Sequence, residues 1–363
     1  MQAYRYFFCN PFIAAGYFYR MKQGGLITLL LLVQGMLLAQ GGWQKQGEEL
    51  IFTQPPFTAA HAPTIVELAS GGIMVSFFAG THEGHKDVSI WQTQKGAGQW
   101  TKPQIAATGV VHDSLRYPCW NPVLFRPAGG PLQLFYKVGP NPREWWGMVQ
   151  TSADDGKTWS TASRLPDGIL GPIKNKPVQL KNGTILSPSS TETEQAWKAH
   201  IEQSADGGKT WKRIPIDSAS SFKVIQPAIL QYPNGRLQVL CRSDQDRIVQ
   251  AWSDDGGNSW SPFSTIHLPN PNSGIDAVTL NDGSQLLVYN PTVRGKEWFN
   301  NRGKLNVALS TNGKDWKDIM VLENGTSEEY SYPAVIQAKD GKVHIVYTYD
   351  RKNIKHVVLV KRP

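Results

Sequence analysis

The densest group of chemically able side chains lies in one short segment, Thr81-His82-Glu83-Gly84-His85-Lys86-Asp87. Imidazole is the usual acid or base near neutral pH, and a carboxylate beside it acts alone or orients the ring. Asp87 stands directly before the apolar alternation Val88–Ile90 and so opens a strand. It is the first choice as acid/base, with His85 and Glu83 behind it. His82 and His85 have the spacing of a metal pair, but no third ligand accompanies them, and no metal or other cofactor is assigned. A second group is cationic. Arg242, Arg302, Lys137, Lys174 and Lys176 suit a carboxylate held by charge-assisted hydrogen bonds. A third group precedes apolar runs: His61 in His61-Ala62-Pro63, then Asn121-Pro122, Lys176-Pro177, Gln226-Pro227 and Tyr332-Pro333. Trp145, Trp146, Trp197 and Trp298 fall in loops, where an indole face stacks on a sugar ring or packs inward.

These residues are scattered over 270 positions, so a repeated framework must bring them together. A hairpin of apolar run, Gly-containing turn and apolar run recurs at Thr64–Phe77, Val123–Tyr136, Val178–Leu186, Ala228–Leu240, Ala277–Tyr289 and Ala334–Tyr347. Asn-Gly and Asp-Gly centres predict two-residue turns. The second turn glycine recurs at 72, 130, 183, 235, 283 and 341. Between the hairpins stand Ser152-Ala-Asp-Asp-Gly-Lys-Thr-Trp159, Ser204-Ala-Asp-Gly-Gly-Lys-Thr-Trp211 and Ser253-Asp-Asp-Gly-Gly-Asn-Ser-Trp260, with worn copies at Thr93–Trp100 and Ser310–Trp316. In each, Ser and Asp side chains satisfy a turn, Gly accepts the strained positions and Trp packs between sheets. The motif resembles the Asp box, or bacterial neuraminidase repeat, which is structural in its family. Six such units predict an all-β, six-bladed β-propeller. The segment around Trp43–Thr53 then supplies the strand that closes the ring. In that geometry the residues before each first strand and after each second strand share one face.

The framework agrees with the composition. Thirteen Trp and 34 Gly in 363 residues suit repeated plugs and turns. Met21-Lys22, the apolar run from Leu26 and the small residue Ala39 read as a secretory signal over 21–39, cut near Ala39. Residues 1–20 then precede the true start, and the propeller occupies 40–363. The reading predicts an exported protein, periplasmic or secreted, without a stable membrane anchor after cleavage. Loss of Arg5, Arg20 and Lys22 lowers the formal charge from +8 to +5, a mild bias toward acidic partners. No nucleic-acid motif is present. Cys119 and Cys241 fit either a disulfide or two buried thiols.

The repeat organisation resembles that of the exo-sialidases. That resemblance implies a Tyr nucleophile assisted by a Glu, an Asp acid/base and three Arg on the substrate carboxylate. Arg242, in Leu240-Cys241-Arg242-Ser243, is similar to the second Arg, and Arg302, before the last box, to the third. Tyr330-Ser331 is similar to the nucleophile dipeptide, and Asp87 to the acid. The chain departs from the pattern at His61-Ala62-Pro63, where the first Arg belongs, and at Gln226-Pro227, where the Glu belongs. An amide is no general base, so the tyrosine is left with little activation. The resemblance implies an exo-α-sialidase-like hydrolase acting on a terminal acidic sugar of a glycan. Two alternatives stand beside it. One is a hydrolase or lyase on uronate-containing polysaccharide, with His61 or His85 as acid/base. The other is a propeller that binds glycans without turnover.

Overall fold

The computed structural model describes residues 42–296 and 300–362. The leader assigned to 21–39, the segment 1–20 and Trp298 lie outside the described residues. Trp43–Lys361 packs as one compact unit. It is a six-bladed β-propeller of four-stranded antiparallel blades, with no helix among the described residues.

Blade I is Ala59–Glu67, Ile73–Gly80, Ser89–Lys95 and Gln104–Ala107, and blade II is Cys119–Phe125, Leu132–Val138, Trp146–Ser152 and Ser163–Arg164. Blade III is Val178–Gln179, Ile185–Glu192, Trp197–Ser204 and Lys212–Pro215, and blade IV is Val224–Gln231, Leu237–Ser243, Arg247–Ser253 and Ser264–Pro269. Blade V is Asp276–Thr279, Gln285–Tyr289, Lys304–Ser310 and Lys317–Asn324. Blade VI takes Tyr330–Gln337, Val343–Tyr349 and Asn353–Lys361 from the end of the chain and Trp43–Leu50 from its start. That last strand pairs antiparallel with Asn353–Lys361, Trp43 opposite Lys361, and closes the ring.

The core is divided among the seams between blades. One cluster joins blades I and II through Met74, Ile90, Leu124 and Leu134. Equivalent clusters fill the II/III, III/IV, IV/V, V/VI and VI/I seams. Each fully buried Leu, Val or Phe contributes about 1.5–3 kcal/mol by leaving water, so the seams hold the ring shut. Cys119 and Cys241 are free thiols buried in different seams.

The Asp boxes behave as self-satisfied turns. In blade II, Asp154 accepts from Ser152 Oγ (2.7 Å), Thr158 Oγ1 (2.6 Å) and the Thr158 amide (2.9 Å), while the Gly156 amide donates to Ser152 Oγ (2.8 Å). Asp206 and Asp255 repeat the pattern. Two boxes also bridge a seam: Gln92 of blade I donates to Gly156 O (2.7 Å) and Gln238 of blade IV to Gly313 O (2.9 Å).

The hairpin loops differ from the two-residue turns expected. The Leu180 amide donates to Thr184 O (2.8 Å) and the Gly183 amide to Leu180 O (2.9 Å), which leaves a three-residue loop. Gly183, Gly235, Gly283 and Gly341 take its last position at φ 81° to 89°. This is a type I turn followed by a left-handed glycine. In blade I that glycine is Gly71 (φ 85°), not Gly72.

Candidate active site

Near the axis one residue with left-handed backbone interrupts the inner strand of blades I, II, IV and VI or stands shortly before that of blades III and V. These are Ala62, Asn121, Lys174, Gln226, Asn272 and Tyr332, at φ 41° to 67°, one per blade in chain order. In blades I, II, IV and VI the residue precedes Pro, and the strand register slips there, between His61/Thr64, Trp120/Val123, Ile225/Ala228 and Ser331/Ala334. A β-bulge tolerates Pro and re-aims a side chain, and a non-glycine residue held left-handed costs about 1–3 kcal/mol. The seams on either side supply the restraint. Four of the six left-handed residues, Asn121, Gln226, Asn272 and Tyr332, face a cavity of about 320 Å³. Trp120, Trp145, Trp197, Glu83, Glu192 and Arg242 complete most of its wall.

Arg242 and Tyr332 form the centre. Arg242 Nη1 donates to the Tyr332 hydroxyl at 2.7 Å, and Nε donates to Asn272 Oδ1 at 2.7 Å. The guanidinium carbon stands 5.8 Å from the Trp197 ring centroid, at cation–π range. Arg302, 1% exposed, lies behind this wall. Its Nη2 donates to Asn272 O (3.0 Å) and its Nη1 to Glu329 Oε1 (3.4 Å). A third guanidinium, Arg351, donates through Nε and Nη2 to Glu329 (2.6 and 3.2 Å) and through Nη1 to Glu83. Burial raises the Glu329 carboxyl, but Arg351 and Arg302 outweigh it and hold the group below the ordinary carboxylate value.

Tyr330 does not reach this centre. Its side chain packs in the V/VI seam, tilted against Tyr349 with ring centroids 4.9 Å apart. The bulge between Ser331 and Ala334 turns Tyr332 to the cavity instead. Asp87 is also elsewhere. Its carboxylate accepts from the Thr81 amide (3.0 Å) and hydroxyl (2.6 Å) and pairs with His85 Nδ1 (2.7 Å), in a depression shared with Pro55, Phe57 and Arg116. Burial raises that carboxyl, but the bonds from Thr81 and His85 prevail and bring it down to about 2, so it carries no proton to give at neutral pH. Glu83 is the residue of this loop on the axial wall, and His82 opens onto a neighbouring recess with His61.

His61 is buried beneath the centre, with its ring 4.3 Å from that of Tyr332 and Nδ1 2.9 Å from Thr348 Oγ1. Burial pushes its pKa well down, and Arg351, Arg302, Arg242 and Lys174 push in the same direction, so the imidazole is neutral. Three lysines expected at the substrate are committed to the framework. Lys137 Nζ donates to Pro172 O (2.7 Å), Lys174 Nζ to Ile275 O (2.5 Å) and to Pro333 O, and Lys176 Nζ pairs with Asp276 (2.8 Å). Burial brings both Lys137 and Lys174 down to about 7.

Glu192, Arg351, Glu329, Asn272 and Trp120 escaped the sequence reading. Trp120, beside Asn121-Pro122, and Glu329, beside Tyr330-Ser331, bordered features already singled out. Glu192 ends the second strand of blade III and sits opposite Trp197 in register. Burial raises its carboxyl pKa, with Arg242 and then Arg143 pulling the other way without reversing it. Among the described residues no group of three or more His, Cys, Asp or Glu could hold a metal ion, and no helix is long and apolar enough to cross a membrane.

A closed ring of six blades, five of them carrying an Asp box, with a cationic, aromatic pocket on its axis defines a sialidase-like propeller. The chain belongs to the family of BNR repeat-like domains, which matches residues 71–345, and is a divergent member of the Asp-box group. It is 23% identical over 247 residues to the anhydrosialidase of Macrobdella decora, covering 60% of this chain and 31% of that one. A sialidase of Bacteroides fragilis is 22% identical over 228 residues, 54% of this chain and 41% of its own length. The chain thus spans less than half of these curated relatives. Among solved structures, a protein of unknown function from Dyadobacter fermentans superposes with a TM-score of 0.72 at 19% identity, over 88% of this chain and all of that one.

Proposed function

We propose that this protein is a glycoside hydrolase of the exo-α-sialidase kind, removing a terminal acidic sugar from a glycan outside the cytoplasm. The observation that carries the reading is the 2.7 Å bond from Arg242 Nη1 to the Tyr332 hydroxyl on the cavity wall. It puts a carboxylate-binding guanidinium beside the one phenol oxygen at the axis. That suits a sugar whose carboxylate is bonded directly to its anomeric carbon, as in a sialic acid. A uronate carries its carboxylate on C5, separated from the anomeric carbon by the ring oxygen, and fits this spacing less well for cleavage at the anomeric carbon. Arg242 holds the carboxylate, while Arg302 and Arg351 add positive field from behind. The amides of Asn121, Gln226 and Asn272 face ring substituents, and Trp120, Trp145 and Trp197 supply faces for the sugar. Tyr332, in place of Tyr330, is the nucleophile of this reading, and the leader-like segment 21–39 supports export.

The test offers 3′-sialyllactose and uronate-capped oligosaccharides to the protein and reads free sugar by mass spectrometry. Release from the sialoside, lost in Tyr332→Phe and kept in Tyr330→Phe, is expected. Release from the uronates alone moves the protein to the uronate reading, and product from neither leaves a glycan-binding propeller.

A further inference from the structure

We propose that Glu192 is the proton donor of this site, in place of an acid from the Thr81–Asp87 loop. The assignment rests on the glycosidase reading above. A glycosidase needs a carboxyl that is protonated when substrate arrives, within reach of the glycosidic oxygen. Asp87 meets neither condition, because its oxygens are held by Thr81 and His85 and it lies away from the axial cavity. Two carboxyls line that cavity, Glu83 and Glu192. Glu83 is bound by the Arg351 guanidinium.

Glu192 is different in each respect. It leaves blade III beside the axis, cross-strand from Trp197, whose indole covers Arg242. Its carboxyl has no hydrogen-bond partner among the described residues, and Arg242 and Arg143 favour its anion only through their fields, without reversing the effect of burial. Burial against the aromatic wall favours the neutral acid. The step is balanced without a co-reactant. Glu192 gives its proton to the glycosidic oxygen, the bond from that oxygen to the anomeric carbon breaks as the Tyr332 oxygen bonds that carbon and releases its proton to solvent, and the aglycone leaves as an alcohol with the bonding pair. Water then displaces the Tyr332 oxygen from the anomeric carbon, the proton the water sheds returns to the Glu192 carboxylate, and the phenolate takes a proton from solvent.

A leaving-group series distinguishes this role from a structural one. Wild type and Glu192→Gln are compared on 3′-sialyllactose, whose sugar leaving group needs a proton, and on 4-nitrophenyl α-sialoside, whose phenolate leaves without one. We expect kcat/KM on the lactoside to fall about 10²–10⁴-fold. On the nitrophenyl substrate the loss is expected to be no more than about tenfold. The alkaline limb of the kcat/KM profile, where Glu192 loses its proton, disappears in the variant. Quenching of tryptophan fluorescence by free N-acetylneuraminic acid, unchanged in the variant, shows the cavity intact. Glu192→Asp, which keeps the acid, gives a smaller loss in the same order of substrates. Equal losses on both substrates, or none on either, overturn the assignment and leave the glycosidase reading standing. A wild-type protein inert toward both removes that reading, and the assignment with it.

Discussion

Replacing Arg351 by Met tests the electrostatic account of the axis. The side chain ties three parts of the molecule together: two bonds to Glu329 at the start of blade VI and one to Glu83 on the blade I loop. Methionine fills a similar length with no donor. Glu329 would lose two of its carboxylate's four hydrogen bonds, keeping those from Ser331 Oγ (2.6 Å) and Arg302 (3.4 Å). Breaking a buried ion pair by removing one member costs about 3–5 kcal/mol when the other is stranded. Here Ser331 and Arg302 remain and Arg351 is 30% exposed, so about 2–3 kcal/mol is expected. For a domain of this size that lowers Tm by about 5 °C. The difference depends on pH in a defined sense. Glu329 is held below its ordinary pKa in the folded state, so its stabilising effect is complete above the unfolded carboxylate pKa and fades as pH falls through the folded one. Thermal unfolding of wild type and variant from pH 7 to pH 3 should therefore show two curves converging in acid. Equal Tm values at pH 7, or a gap that widens on acidification, would refute the argument.

Two further outcomes follow from packing. A methyl group at Gly274 would meet Lys174 Cε at 3.1 Å, Tyr332 Cγ at 3.3 Å and Gln226 Oε1 at 3.4 Å. Gly274→Ala should cost about 1–3 kcal/mol in chemical denaturation, with a larger proportional loss of turnover because Tyr332 is displaced. Burial raises both thiols, Cys119 up to about 12. A disulfide reagent such as 5,5′-dithiobis(2-nitrobenzoate) should leave Cys119 and Cys241 unmodified in the native protein and label both in guanidinium chloride.

The architecture was legible because its signals are local. An Asp box is written within eight consecutive residues, and its hydrogen bonds close within the same eight, as Ser152, Asp154 and Thr158 show. The centre was only partly legible, because bulges defeat the two-residue period of a strand. Tyr330 and Tyr332 are equivalent in a regular strand, yet the left-handed turn at Tyr332 sends one to the seam and the other to the axis. The usable signal was the Pro after Ala62, Asn121, Gln226 and Tyr332, which marks the bulge in four blades. Lys137 and Lys174 were misjudged because sequence does not show which backbone carbonyls a buried ammonium will meet. Arg351 and Glu192 belong to no motif. They become visible only when blades VI and III are set beside the loops they face.

The ring of six left-handed positions separates what the protein recognises from what keeps it folded. Ala62, Asn121, Lys174, Gln226, Asn272 and Tyr332 occupy stations whose backbone is dictated by the neighbouring strands. Four of their side chains line the axial cavity. Such stations work like the interchangeable letters of a six-place combination. Ala62 is a place whose letter is nearly blank, and it marks where a lineage of such propellers could acquire or discard a charged contact in a single mutational step.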